Sequence, residues 1–169
     1  MADHPVPVKV KLPQPALPAA DWADCYAVEV RARRLTAPEA ASLAMGHFPA
    51  WVRLLMRIRD VAAASLGLKT TKYYQTGSVA TIGMFPIVNQ SDDQIVLGFD
   101  DRHLDFRIVI DVVRLGDDRQ RVSAATLVYR KILLGRIYIA LITPFHKLIV
   151  ASMLANLARQ APQSTGVAV

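Results

Sequence analysis

A single cysteine, Cys25, stands in the chain, so an internal disulfide is excluded. Set beside Tyr26 in an alternating segment, it reads as a packed thiol rather than a nucleophile. Aromatic residues make up only 7% of the sequence. Where cations gather, at Arg31, Arg33 and Arg34 and again at Arg53, Arg57 and Arg59, Trp51 is the one aromatic among the second group. A basic surface without interleaved aromatics argues against nucleic-acid recognition. Glycine-rich phosphate loops, spaced Cys/His sets and a nucleophile elbow are all missing, so neither a nucleotide cofactor nor a metal is expected. No run of about 18 uncharged apolar residues occurs, because the longest candidate is interrupted by Arg136, His146 and Lys147. No transmembrane segment is expected on that ground. The first residues also lack the basic start and apolar core of a signal peptide, which makes the cytoplasm the expected location.

What is present is an apolar chain of 169 residues, 53% hydrophobic and 20% charged, with a net charge of +6. That length suits one domain with a sizeable core. Its most apolar stretch runs from Ile132 to Leu157. In the first half of this stretch apolar residues fall on nearly every side, and a helix apolar all round must be enclosed by something. Pro144 stands inside it, so a kink or break is expected near Thr143.

Ahead of that helix the chain divides cleanly. Residues 1–20 hold Pro5, Pro7, Pro13, Pro15 and Pro18, half of the ten prolines, and predict an extended arm lying across the domain or a partner subunit. Residues 21–160 form the domain, and 161–169 a flexible tail. Tyr26, Val28 and Val30 alternate with Ala27, Glu29 and Arg31, the period of a strand with one covered face. Thr36 and Glu39 are spaced for a capping box at the start of a short helix ending near Gly46. A second helix is expected from Pro49 to Leu66, with Trp51, Leu54, Leu55, Ile58, Val61 and Ala62 as its apolar stripe.

From Thr70 the period becomes two. Strands are expected over Ser78–Val88, Gln94–Phe99, Leu104–Val112 and Val122–Tyr129, joined by the short turns of antiparallel hairpins. In the first of these Val79, Thr81, Gly83 and Phe85 share a side, and Pro86 marks an edge or a bulge. The order β, α, α, four or more β, then a long α is that of an α+β, helix-grip (START-like) fold, an antiparallel sheet wrapped around a C-terminal helix. Gly83 and Gly98 are expected to leave room on the sheet.

Three ordered segments, PAWVRLLMRIRD with GLKT (49–60, 67–70), LGFDDRHLDFR (97–107) and LLGRIYIALITPFHKLIVASML (133–154), resemble an uncharacterised bacterial family of the START-like superfamily. The resemblance implies that a hydrophobic molecule, a lipid among the options, sits between the sheet and the last helix. Members of the wider superfamily include cyclases, dehydratases and hydrolases. Just before Gly135, where the resemblance leads one to expect a His-Asn pair, this chain has Lys131 and Ile132.

Two groups of residues carry chemistry. The first is Asp100, Asp101, Arg102, His103, Asp105 and Arg107. These have the composition for a metal site or acid–base work and equally that of a salt-bridged hairpin turn. The second is Tyr138 and His146, about two helical turns apart, with Arg136 nearby. No carboxylate close in sequence tunes either. His103, Tyr138 and His146 are the candidate catalytic groups, and Phe85, Phe106, Ile108, Tyr138, Leu141 and Phe145 are expected to line a ligand cavity. Three readings follow: a binding module for a small hydrophobic molecule, an enzyme on the same fold, and a structural protein or homodimer with no ligand.

Overall fold

Alternating apolar residues along each strand give the sheet one face for the helices and another for the arm. The computed structural model describes residues 4–31, 34–46, 50, 53–54, 80–116 and 118–161. Seven strands pair antiparallel in one sheet: β1 (Val6–Pro7), β2 (Trp22–Arg31), β3 (Thr81–Ile82), β4 (Phe85–Gln90), β5 (Gln94–Asp100), β6 (Leu104–Arg114) and β7 (Arg119–Arg130). Their spatial order is β1-β2-β7-β6-β5-β4-β3. Two helices, α1 (Ala37–Met45) and α2 (Leu133–Gln160), complete the described elements. This is an α+β fold, a seven-stranded antiparallel sheet with a long C-terminal helix, consistent with helix-grip architecture.

The start of α1 follows the predicted chemistry. The Thr36 hydroxyl accepts from Glu39 N at 3.4 Å, and the Glu39 carboxylate accepts from Thr36 N at 2.8 Å, which is a capping box. Just upstream, Gln120 of β7 exchanges two buried hydrogen bonds with the backbone of Leu35, at 2.7 and 3.0 Å. A buried amide with both ends satisfied fixes where the chain leaves β2 and enters α1. The second helix expected over 49–66 lies outside the described residues except at positions 50 and 53–54, which are helical.

Three expectations about the backbone are corrected. Ser78–Val88 is not one strand: residues 78 and 79 lie outside the described part, and the remainder is a tight hairpin pairing Ile82 with Phe85. Gly83 occupies its turn at φ 60°, where a residue without Cβ is at no disadvantage. Phe85 thereby turns into the core, and a register shift between Ile87 and Asn89 follows Pro86. Gly98 leaves no room on the helix-facing side of the sheet either. It pairs with Arg107 and faces the other way, and a Cβ there would lie 2.1 Å from Phe106 O. Finally, α2 continues through Pro144 without a break. The Thr143 hydroxyl donates to Ile139 O at 2.6 Å, the back-bond to the i−4 carbonyl that threonine makes within helices.

The core is layered on both sides of the sheet. On one face Val28, Ile95, Leu97, Ile110 and Val122 meet α1 and the C-terminal half of α2 through Val150, Leu154 and Leu157. On the other face the proline-rich arm comes to rest. Leu17 and Ala20 pack on Val96, Val109 and Leu127, so the arm crosses its own domain. Cys25 is buried, and burial, with Asp111 and Asp24 adding to it, pushes its thiol up to about 11. A thiol so poised stays protonated at neutral pH and behaves as a packing group.

The apolar helix is not enclosed as its composition suggested. Ile139, Val150, Leu154 and Leu157 are buried, but Leu133, Ile137, Leu141, Phe145 and Leu148 are between 49% and 70% exposed. By helical phase these two sets occupy opposite sides. The sheet and α1 cover one side of α2 and leave the other open.

Candidate functional site

A polar group stands in an apolar layer where α2 crosses β2 and β7. Asp24 and Thr126 are direct partners in the β2–β7 register, and both strands turn these side chains toward the helix. His146 comes down from α2 between them. Its Nε2 lies 3.2 Å from Asp24 Oδ1 and 3.1 Å from Thr126 Oγ1. Trp22, two residues before Asp24, meets the imidazole edge to face with ring centroids 5.9 Å apart. Thr126 is buried, while the side chains of His146 and Asp24 retain 17% and 14% of their exposure.

The electrostatics of this group are uneven. Asp24 Oδ1 is engaged by the imidazole, but Asp24 Oδ2 is buried and has no hydrogen-bond partner among the described residues. A buried carboxylate oxygen left without a donor costs free energy. Tyr26, next along the same face of β2, has its phenol pushed up from 10.0 by burial and by the Asp24 charge. Nδ1 of His146 makes no hydrogen bond among the described residues. In the tautomer that places the proton on Nε2, where Asp24 accepts it, the lone pair falls on Nδ1.

Around the polar group the surface is aromatic. Phe106 lies 5.7 Å from Phe85 and 5.6 Å from Phe99 between ring centroids. Tyr138 of α2, like Trp22 and Phe106, packs against the buried cluster of Leu104, Val128 and Ile139. Of the positions expected to line a cavity, Phe85, Phe106, Ile108 and Tyr138 are thus on the helix-facing side of the sheet or against it. Leu141 and Phe145 are not: at 68% and 50% exposed, they lie on the outer side of α2. Two open clefts flank the entry to α1, and their walls include Arg34 and Leu35 but no residue of α2.

The acidic turn does different work. Arg107 pairs with Asp100 at 2.7 Å and donates to the carbonyls of Phe99 and Phe106. That pairing holds the Asp100 carboxyl below its ordinary value. Lys131, one of the two residues that replace the expected His-Asn pair, reaches Asp105 at 2.6 Å and Asp101 O at 2.9 Å. His103 is buried at the same turn with Nδ1 3.6 Å from Asp101. Gly135 lets the first turn of α2 close on this corner, since a Cβ there would lie 2.5 Å from His103 O. The network binds the β5–β6 turn to the β7–α2 junction. Among the described residues no three His, Cys, Asp or Glu side chains are grouped to hold a metal ion.

Asp24 and Thr126 were missed by sequence reasoning. Asp24 is in phase with Tyr26 and Val28 on the covered face of a strand, and a carboxylate in that phase was the available signal. Thr126 gave none, being an ordinary strand residue.

A sheet whose helix-facing side is apolar, with a part-buried acid–imidazole pair where the long terminal helix crosses it, defines a class of sheet-and-helix domain. The chain belongs to the family described as "Protein of unknown function (DUF2867)", whose model matches residues 16–153. No curated protein and no solved structure matches it.

Proposed function

We propose that this is a START-like domain that holds a small hydrophobic molecule on the helix-facing side of its sheet, with a donor group of that molecule meeting Asp24. The observation that carries the reading is the buried, unpartnered Asp24 Oδ2 beside His146. Apolar pockets orient their ligands with a few such convergent polar groups. Trp22, Tyr26, Phe99 and Phe106 are each only partly buried and supply the apolar contact. Element order and the sequence resemblance support the START-like placement.

The same pair supports a second reading, in which His146 acts as acid or base on the bound molecule. Asp24 would orient the ring and Nδ1 would move the proton, the arrangement general acid–base catalysis requires.

The test uses displacement of anilinonaphthalene sulfonate from the full chain by dodecanol and by its methyl ether. Dodecanol, which retains a donor, is expected to displace the probe at lower concentration, and Asp24→Ala is expected to erase the difference. Native mass spectrometry of freshly purified protein gives a second readout. No displacement by either compound together with no retained mass overturns the binding reading. If a retained mass changes with time in the wild type but not in His146→Gln, the enzymatic reading replaces simple carriage.

A further inference from the structure

The outer side of α2 is a surface the binding site does not use. Leu133, Ile137, Leu141, Phe145 and Leu148 recur at intervals of four, four, four and three residues and run along the first half of the helix. They are 70%, 49%, 68%, 50% and 62% exposed. A continuous stripe of large exposed apolar side chains marks an interaction surface. By length and composition α2 could cross a membrane, yet only 17% of its most apolar window is buried.

Charge decides what the stripe meets. The helix carries no acidic residue from Leu133 to Gln160, and its cations are Arg136, Lys147 and Arg159. Arg136 and Lys147 are exposed, have no ion-pair partner among the described residues, and lie about three turns apart, which puts them on one edge of the stripe. Nearby Arg130 and Lys131 are already paired, with Asp21 and Asp105. A second copy of this chain docked through the same face would set these cations against one another with no acid on the helix to answer them, since a two-fold interface is self-complementary. A surface of anionic headgroups answers both the stripe and its charged edge. Spanning is disfavoured because the opposite side of α2 is already packed on the sheet through Ile139, His146 and Val150.

We infer that α2 is an interfacial membrane-docking element, lying in the plane of an anionic bilayer with Ile137, Leu141 and Leu148 toward the acyl chains and Arg136 and Lys147 at the headgroups. This does not depend on whether the Asp24 site takes a ligand.

Co-sedimentation of the full chain with vesicles of phosphatidylcholine alone, or mixed with phosphatidylserine, tests it. Binding is expected to the mixed vesicles and to weaken as salt rises. Arg136→Gln with Lys147→Gln is expected to lower partitioning roughly 30-fold, at about 1 kcal/mol per cation near the surface, and Leu141→Glu to abolish it without lowering the melting temperature. Absence of binding to phosphatidylserine vesicles at low salt overturns the inference. So does light scattering that gives a dimer which Leu141→Glu dissolves, since the face then belongs to a second copy. A fall in melting temperature for Leu141→Glu also overturns it, because the face then packs within the chain.

Discussion

His146 Nε2 lies 3.2 Å from Asp24 Oδ1, a contact between residues 122 positions apart that ties the last helix to the first long strand. Removing either member leaves the other desolvated. His146→Ala strips the Asp24 carboxylate of its one side-chain donor among the described residues and is expected to destabilise the fold by about 1–3 kcal/mol. Asp24→Ala leaves His146 with Thr126 and should cost less. In urea unfolding, the double mutant is expected to fall short of the sum by roughly 0.5 kcal/mol or more, the mark of direct coupling. Additive single effects would mean that the pair does not interact in solution.

Gly135→Ala is expected to destabilise by about 1–3 kcal/mol, the usual range for overpacking a filled site. Its Cβ would lie 2.5 Å from His103 O, a backbone atom that cannot rotate away. Thermal unfolding checks this, with Gly116→Ala as the control because nothing lies within 4 Å of a Cβ at that position. Equal melting temperatures for the two variants would contradict the close approach of α2 to the β5–β6 turn.

Leu17→Ala is expected to cost about 2–5 kcal/mol, as for other buried leucines. Leu17 is 7% exposed and packs on the face of the sheet opposite the helices. An extended arm with no role in the core would show no change, so chemical denaturation separates the two cases directly.

Acid lability should come from two carboxylates. Glu39 is held below its ordinary 4.5 by the backbone hydrogen bond from Thr36, and Asp100 below 3.8 by its hydrogen bond with Arg107. Because the folded values are depressed, the unfolded chain binds more protons in the window between. Their contribution is present above the ordinary values and is lost as pH falls through the depressed ones. Both groups are open to solvent, which keeps the combined effect to about 1 kcal/mol or less. Melting curves from pH 6 down to about pH 3 should show a shallower decline in Thr36→Ala and Arg107→Ala than in the wild type. Parallel declines would place the acid-sensitive groups elsewhere.

Local chemistry was legible in the residues alone. The capping box at Thr36, the alternation in Leu104–Val112 and the turn at Asp100–His103 each depend on neighbours within a few positions, and each appears as the spacing requires. Of the kink or break expected at Pro144 the break does not occur: α2 is packed on both sides of the proline, through Ile139 and Val150, and that packing offsets the loss of one helical hydrogen bond. The Ser78–Val88 strand became a hairpin because a glycine at φ 60° can turn the chain where an alternation pattern alone reads straight on.

Composition and period by themselves determined that the chain would form an antiparallel sheet and a long apolar helix, since burial periodicity is written into nearest neighbours. Only the tertiary structure decided which side of that helix is covered, because both sides are apolar and hydrophobicity has no direction. It alone decided as well that Asp24, Thr126 and His146 meet, since strand register and helix placement bring together groups whose separation along the chain carries no trace of their contact.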